Sequence, residues 1–284
     1  MEAKVFEHET MEKHPSYVRL MRVVTVPILN AIPAKFLQRV IRKTSSYAKK
    51  VIEQPGSTHS LEAMYTKEKK AKAADTFWHN IVSQPKAIRN RLKIVEMVLE
   101  NEIAERKKKS NALQIYNIGG GSSRAIIQVV SRELTESNLQ IRVTTVDRDK
   151  KALELGRKIA LDHNIEGLFT WIEGDARNLE NLVDANNADV VEMVGLLDYF
   201  DFDGSIQLIK QIRNCLKPGG LFIVANVHPN SESKFVENVG WPKMFYKTAE
   251  EMGRILSAAG FKEEEVTLHF EPLMVHLVGV ARKT

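Results

Sequence analysis

The sequence predicts an α/β fold: a doubly wound, seven-stranded, mostly parallel sheet with an antiparallel terminal hairpin, plus an N-terminal helical cap. Three observations predict it. From Asn111 to the end of the chain, strand-like and helix-like segments alternate, the pattern of a parallel sheet with helices on both faces. The last two strand-like runs, Val266–Phe270 and Met274–Ala281, are separated only by the short turn Glu271-Pro272-Leu273, so they form a hairpin. Before the polar break at Lys107-Lys-Lys-Ser-Asn111 the periodicity is helical alone. The chain therefore divides into a helical region, 1–110, and an α/β domain, 111–284.

In the first region, Pro15–Glu53 reads as one or two helices broken near Pro27 and Pro33. Gln54-Pro-Gly-Ser57 is a turn signal, and helices follow over Leu61–Ala74 and Ala87–Ala104. Ile88, Leu92, Val95, Val98 and Leu99 give the last of these an apolar stripe. In the second region the expected strands are Leu113–Ile118, Ile141–Val146, Leu168–Glu173, Ala188–Val194 and Leu221–Val227, then the hairpin pair. Helices are expected from Ser122, as a cap residue, to Leu134, over Lys150–Asp162 behind Asp149 as cap, over Gly204–Leu216, and over Thr248–Ala259 before Gly260.

A hydrophobic content of 43% over 284 residues suffices for one large core, or one core with a smaller cap. The single cysteine, Cys215, excludes an internal disulfide and a thiolate metal site, and its apolar neighbours mark it as a buried helical residue. Met1–His14 lacks the charge pattern and apolar run of a secretory signal, and no stretch reaches the roughly 18 apolar residues of a membrane span. A cytoplasmic location is expected. Residues 1–110 hold 22 Lys and Arg against 12 Asp and Glu, whereas 111–284 hold 19 against 24. The basic first third is either a solvated helical face or a surface for an anionic partner.

Chemistry concentrates at the strand ends. Gly119-Gly-Gly121 follows the first α/β strand, where glycine lets backbone approach a ligand closely and the next helix offers free N–H groups. Alone it fits nucleotide, nicotinamide and sulfonium cofactors alike. The dinucleotide fingerprint wants Gly or Ala where Arg124 stands, and no Lys-Ser/Thr pair makes a phosphate loop. Asp147, ending the second strand, can accept two hydrogen bonds from a ribose diol. Asp175, after the third, can accept from an adenine amino group.

These residues resemble the class I, Rossmann-like methyltransferase family that depends on S-adenosyl-L-methionine (SAM). The matching segments are Ile115-Tyr-Asn-Ile-Gly-Gly-Gly-Ser-Ser123, Val146-Asp147, Glu173-Gly-Asp-Ala176, Asp189-Val-Val-Glu-Met-Val-Gly195 and the turn Leu216-Lys-Pro-Gly-Gly-Leu221, in family order. The resemblance implies that Gly119 and Gly121 line the methionine part of SAM. It implies that Asp147 binds the ribose, Asp175 and Ala176 the adenine, and that Val194 and Gly195 border the transferred methyl. Asn117 stands where the family often has Asp or Glu; it can accept a hydrogen bond from the SAM amino group but offers no charge.

SAM carries the reactivity, so such a site works without a strong catalytic motif, and a base is needed only if the acceptor loses a proton. The Pro-Pro motif of DNA amino-methylating enzymes is absent after the fourth strand, and Cys215 is misplaced for a pyrimidine nucleophile. A small or medium-sized organic acceptor, methylated on oxygen or nitrogen, is expected. Catalytic candidates are His228, as a base after the fifth strand, and Tyr199, as a wall of the site. His276, on an apolar strand, reads as a satisfied core residue. His59, His79 and His163 show no ligand spacing, so no metal site is proposed. Phe77, Trp78 and Arg91 are candidate lid residues. The alternatives are an RNA methyltransferase using the basic first third, in which no RNA module is recognisable, and a non-catalytic SAM-binding protein. The stretch Arg19–Lys50 could contact an anionic membrane surface, although its prolines favour packing or homodimerisation.

Overall fold

Eight strands form one sheet in the computed structural model, which describes residues 1–66, 73–133 and 139–284. The seven expected strands are β2 (Ala112–Ile118), β3 (Gln140–Asp147), β4 (Phe169–Glu173), β5 (Ala188–Val194), β6 (Leu216–Val227), β7 (Val266–Phe270) and β8 (His276–Arg282). The eighth, β1 (Ala3–Val5), comes from the amino terminus and pairs in parallel with β7 at the edge. Its three residues carry too little periodicity to register as a strand.

The order across the sheet is β1-β7-β8-β6-β5-β2-β3-β4. Only β8 runs against its neighbours. The strand order reverses between β5 and β2, the position where open α/β sheets leave a crevice at the carboxyl ends of their strands. Because β8 is reversed, its first residues lie at that same edge. The turn Lys217–Gly220 is built into β6 as an irregularity: the register steps from Leu216 opposite Ala188 to Leu221 opposite Val190, and Gly219 has φ 74°.

The helical region comprises α1 (Ser16–Ala31), α2 (Ala34–Thr44), α3 (Ser46–Glu53), α4 (Thr58–Tyr65), α5 (Ala73–Asn80) and α6 (Gln84–Lys107). Pro27 lies within α1 without ending it; the break comes at Pro33, where α1 and α2 meet at 115°. The expected helix over Leu61–Ala74 falls partly on 67–72, outside the described residues, as does Leu134 at the expected end of a later helix. Beyond the break lie α7 (Arg124–Glu133), α8 (Lys150–Asp162), α9 (Phe202–Cys215), α10 (Ser233–Asn238) and α11 (Ala249–Ala258).

Strand alternation sends side chains to two cores. Tyr116, Val191, Met193 and Phe222 pack on α9 and α11, where Cys215 is buried and its thiol is pushed up to about 11 by desolvation. Ile115, Val190 and Ile223 pack on α6, α7 and α8. Thus α6, although it precedes the break, is part of the sheet's core. A third core joins α2–α6 to Phe235 and Val239, so the helical region rests over one end of the sheet. Tyr17, Leu20, Val23, Val24 and Ile28 leave one side of α1 exposed and apolar. Among the described residues no single helix is long and apolar enough to cross a membrane.

Candidate active site

β2 and β3 set the glycine loop. Gly119 N donates to Val146 O at 2.8 Å, and Gly121 N donates to Asp147 Oδ2 at 2.8 Å. Gly119 has φ 63°, and a Cβ there would lie 2.6 Å from Leu196 Cδ2. At Gly120 a Cβ would lie 1.8 Å from Asn117 Oδ1, so the loop folds directly over the Asn117 side chain. Ser122 does not cap α7; its hydroxyl donates to Glu62 Oε1 at 2.6 Å. Asp149 caps α8 by accepting from Lys151 N at 3.0 Å, and also donates its own N–H to Asp147 Oδ1 at 2.8 Å.

The loop opens on a cavity of about 590 Å³, within the usual range of about 300–1,000 Å³ for small-molecule sites. Gly119, Gly121, Asp147, Asp175, Ala176, Val194 and Gly195 all line it. Asn117 lies beneath the loop, almost fully buried, with Oδ1 lacking a hydrogen-bond partner. Burial raises the Asp147 carboxyl above its ordinary value, against the hydrogen bonds from Asp149 and Gly121. Asp175 accepts from Arg177 Nε at 3.0 Å and from Arg177 N at 2.9 Å, which holds its carboxyl down at about 2. It therefore stays ionised, shared between this turn and the cavity.

A second, narrower cavity of about 70 Å³ adjoins the first. Gly56, Leu61, Gly195 and Tyr199 line both. Its walls are apolar, with Met64, Trp78, Ile88, Phe235 and Trp241, and five polar side chains break them: Gln84, Arg91, Asp198, Tyr199 and His276. Asp198 Oδ1 accepts from Val227 N at 2.6 Å. Tyr199 keeps its proton, because burial pushes the phenol up to about 12. Arg91 is buried, donates from Nη2 to Tyr65 Oη at 3.4 Å, and leaves Nε unpartnered.

Two histidine expectations change. His276 sits directly opposite Val227 in the β6–β8 ladder, so both point to the same face, and both line the narrow cavity. It is 2% exposed, yet neither ring nitrogen has a hydrogen-bond partner among the described residues. It is a buried but unsatisfied histidine. His228, one residue beyond Val227, points to the opposite face by strand alternation. Its ring meets Phe270 edge-on at 4.9 Å, and it lines neither cavity. His228 is therefore not placed to act as the base. Of the candidate lid residues, Trp78 and Arg91 line the narrow cavity, whereas the Phe77 side chain lies outside the described residues.

The methyltransferase domain family matches residues 109–267, more than half of the chain. The chain belongs to that family. It is a SAM-dependent methyltransferase, and its structural relatives have the same fold. A possible exported protein from Bordetella parapertussis superposes with a TM-score of 0.67 at 13% identity, covering 96% of this chain and 99% of that one. An O-methyltransferase candidate from Nostoc punctiforme PCC 73102 gives 0.58 at 17% identity, covering 94% and 96%. The magnesium protoporphyrin IX methyltransferase of Synechocystis PCC 6803, with bound S-adenosylhomocysteine, gives 0.56 at 12% identity, covering 78% and 92%. No curated protein matches the sequence.

In this methyltransferase the helical region is tied to the glycine loop by one carboxylate. Glu62 of α4 accepts from Arg124 Nε at 2.9 and 2.8 Å through its two oxygens, pairs with Arg124 Nη2, and receives the Ser122 hydroxyl. Arg124 does not intrude between α7 and the sheet; it leans out over the Tyr65 ring, 5.8 Å from its centroid. Both members are largely buried, and removing one partner of such a pair costs about 3–5 kcal/mol. Glu62→Ala is therefore expected to free α4 from the loop: limited proteolysis should cut the helical region faster, and SAM should bind more weakly. Unchanged cleavage would show that the clamp holds nothing.

Proposed function

We propose that this methyltransferase acts on a small organic acceptor that enters the narrow cavity and meets SAM, held in the larger one, at Gly195 and Tyr199. The observation that carries this reading is the shared lining of the two cavities. The larger cavity suits the cofactor in its donor set. Asp147 presents a carboxylate at the β3 end for a ribose diol, Asp175 and Ala176 lie further along for adenine, and glycine backbone replaces side chains where the methionine part would lie. Asn117 Oδ1 offers an unused acceptor beneath that part. When bound, SAM supplies a methyl group on a positively charged sulfur.

The chain's own residues then align and desolvate. Val194 and Gly195 border the junction, and Tyr199 walls both sides of it. The apolar cavity takes a small apolar body. Arg91 and His276 receive its one polar group, an oxygen or nitrogen. Burial and Arg91 together hold His276 well below its ordinary value, so the ring is neutral, and one nitrogen would accept the acceptor's proton as the methyl carbon–sulfur bond gave way to the new bond and the thioether product of SAM departed.

The test uses methyl-labelled SAM with phenol, aniline, benzoate and thiophenol as probes. Label is expected in phenol or aniline, with SAM binding measured in parallel. SAM binding without label in any probe, or label only in thiophenol, would overturn the acceptor reading.

A further inference from the structure

Five carboxylates line the larger cavity: Asp147, Asp149, Asp175, Glu192 and Asp201. Four are engaged. Asp147 accepts from Gly121 N and Asp149 N, Asp149 from Lys151 N, Asp175 from Arg177, and Asp201 from Gly204 N at 2.8 Å. Glu192 accepts no hydrogen bond from any described residue, although it is only 5% exposed. It sits in the middle of β5, within the apolar run Val190-Val-Glu-Met-Val194, where a charged residue has no packing purpose. In the sheet it stands opposite Asn117, whose Oδ1 is also unpartnered. Paired positions on adjacent strands face the same way, about 5 Å apart, so Glu192, which lines the cavity, stands beside Asn117, which is buried under the glycine loop.

We propose that Glu192, with Asn117 beside it, receives the α-ammonium of the cofactor's methionine part. The inference rests on the reading that SAM occupies the larger cavity. An amino-acid ammonium needs a carboxylate partner when it leaves water, and Glu192 is the cavity carboxylate with its lone pairs free. Burial pushes its carboxyl up to about 8, with Arg91 of α6 acting the other way. From the flanking strands, Asn117 of β2 and Ile223 of β6 face it, and neither is charged. An arriving ammonium ionises Glu192, so binding near pH 7 releases about one proton.

Calorimetry of the full chain tests this with two ligands, SAM and 5′-methylthioadenosine, which lacks the amino-acid part. Glu192→Gln keeps the shape and is expected to weaken SAM by about 10- to 100-fold, while methylthioadenosine binds as before. In phosphate and Tris at pH 7, the wild-type enthalpy for SAM should differ by the heat of a released proton, and that for methylthioadenosine should not. Equal weakening of both ligands, unaltered SAM affinity, or no proton release overturns the role of Glu192. Wild-type protein that binds neither ligand overturns the cofactor reading instead.

Discussion

Asp147→Ala is expected to weaken SAM binding by about 100-fold or more, because this carboxylate does two jobs at once. It lines the cavity as the proposed acceptor for a ribose diol, and it fixes the loop that forms the opposite wall. Its Oδ2 holds Gly121 N and its Oδ1 holds Asp149 N, each at 2.8 Å. Hydrogen bonds to a charged group are worth about 1.5–3 kcal/mol, so losing those to the ligand alone approaches the stated factor. The alanine variant also frees two backbone N–H groups, and the Gly119–Gly121 backbone loses the restraint that shapes it. Asp147→Asn should fall between, since one oxygen remains to accept. Calorimetric titration with SAM reads both variants. An alanine variant with wild-type affinity would remove Asp147 from the site and the ribose assignment with it.

The parts of this site that were legible in the sequence are those fixed by local chemistry. Gly119, Gly121, Asp147 and Asp149 sit within three residues of a strand end, where turn dihedrals and helix capping restrict residue type. The central strand runs Ala188–Val194 and Leu221–Val227 were legible because both sheet faces are covered there and the runs are largely apolar. What was hidden depends on register and on distant segments. His276 lies next to the site only because β8 runs backwards and pairs His276 with Val227; its apolar neighbours read as core. His228, beside Val227 in sequence, was placed at the right edge but on the wrong face, since one residue inverts direction along a strand. Glu62 reaches Arg124 across 62 positions, and nothing near either residue announces the pairing. Glu192 did leave a signal: a lone carboxylate inside a buried strand is costly unless something uses it. Pro27 erred the other way, marking a break inside a helix that continues through it.

His276→Leu is expected to make the protein more stable and the enzyme at least about 100-fold slower, the usual lower bound for removing a proton acceptor. The stability gain follows from the two unpartnered ring nitrogens at 2% exposure. A buried polar group without a partner costs about 1–3 kcal/mol, and leucine replaces it among Trp78, Phe235 and Met244 without that penalty. The melting temperature should rise by a few degrees. The gain should also depend on pH, in a direction set by burial. Desolvation holds the folded ring well below the 6.5 of a free histidine, so the unfolded chain takes up the proton first. Wild-type stability therefore falls as pH drops below about 6.5, and the leucine variant escapes that share of the loss. Above that pH the ring is neutral in both states, and the difference between the proteins should be flat. The rate is read with whichever probe accepts the methyl group, and SAM affinity should remain unchanged because His276 lines only the narrow cavity. His228→Ala provides the contrast, with normal transfer expected from a ring that faces Phe270. A leucine variant that is less stable would make His276 a structural residue, and one with normal transfer would leave the acceptor's proton to another group. Higher stability together with lost transfer is the combination that a functional residue produces, because the site tolerates an unsatisfied group only where a ligand will later satisfy it.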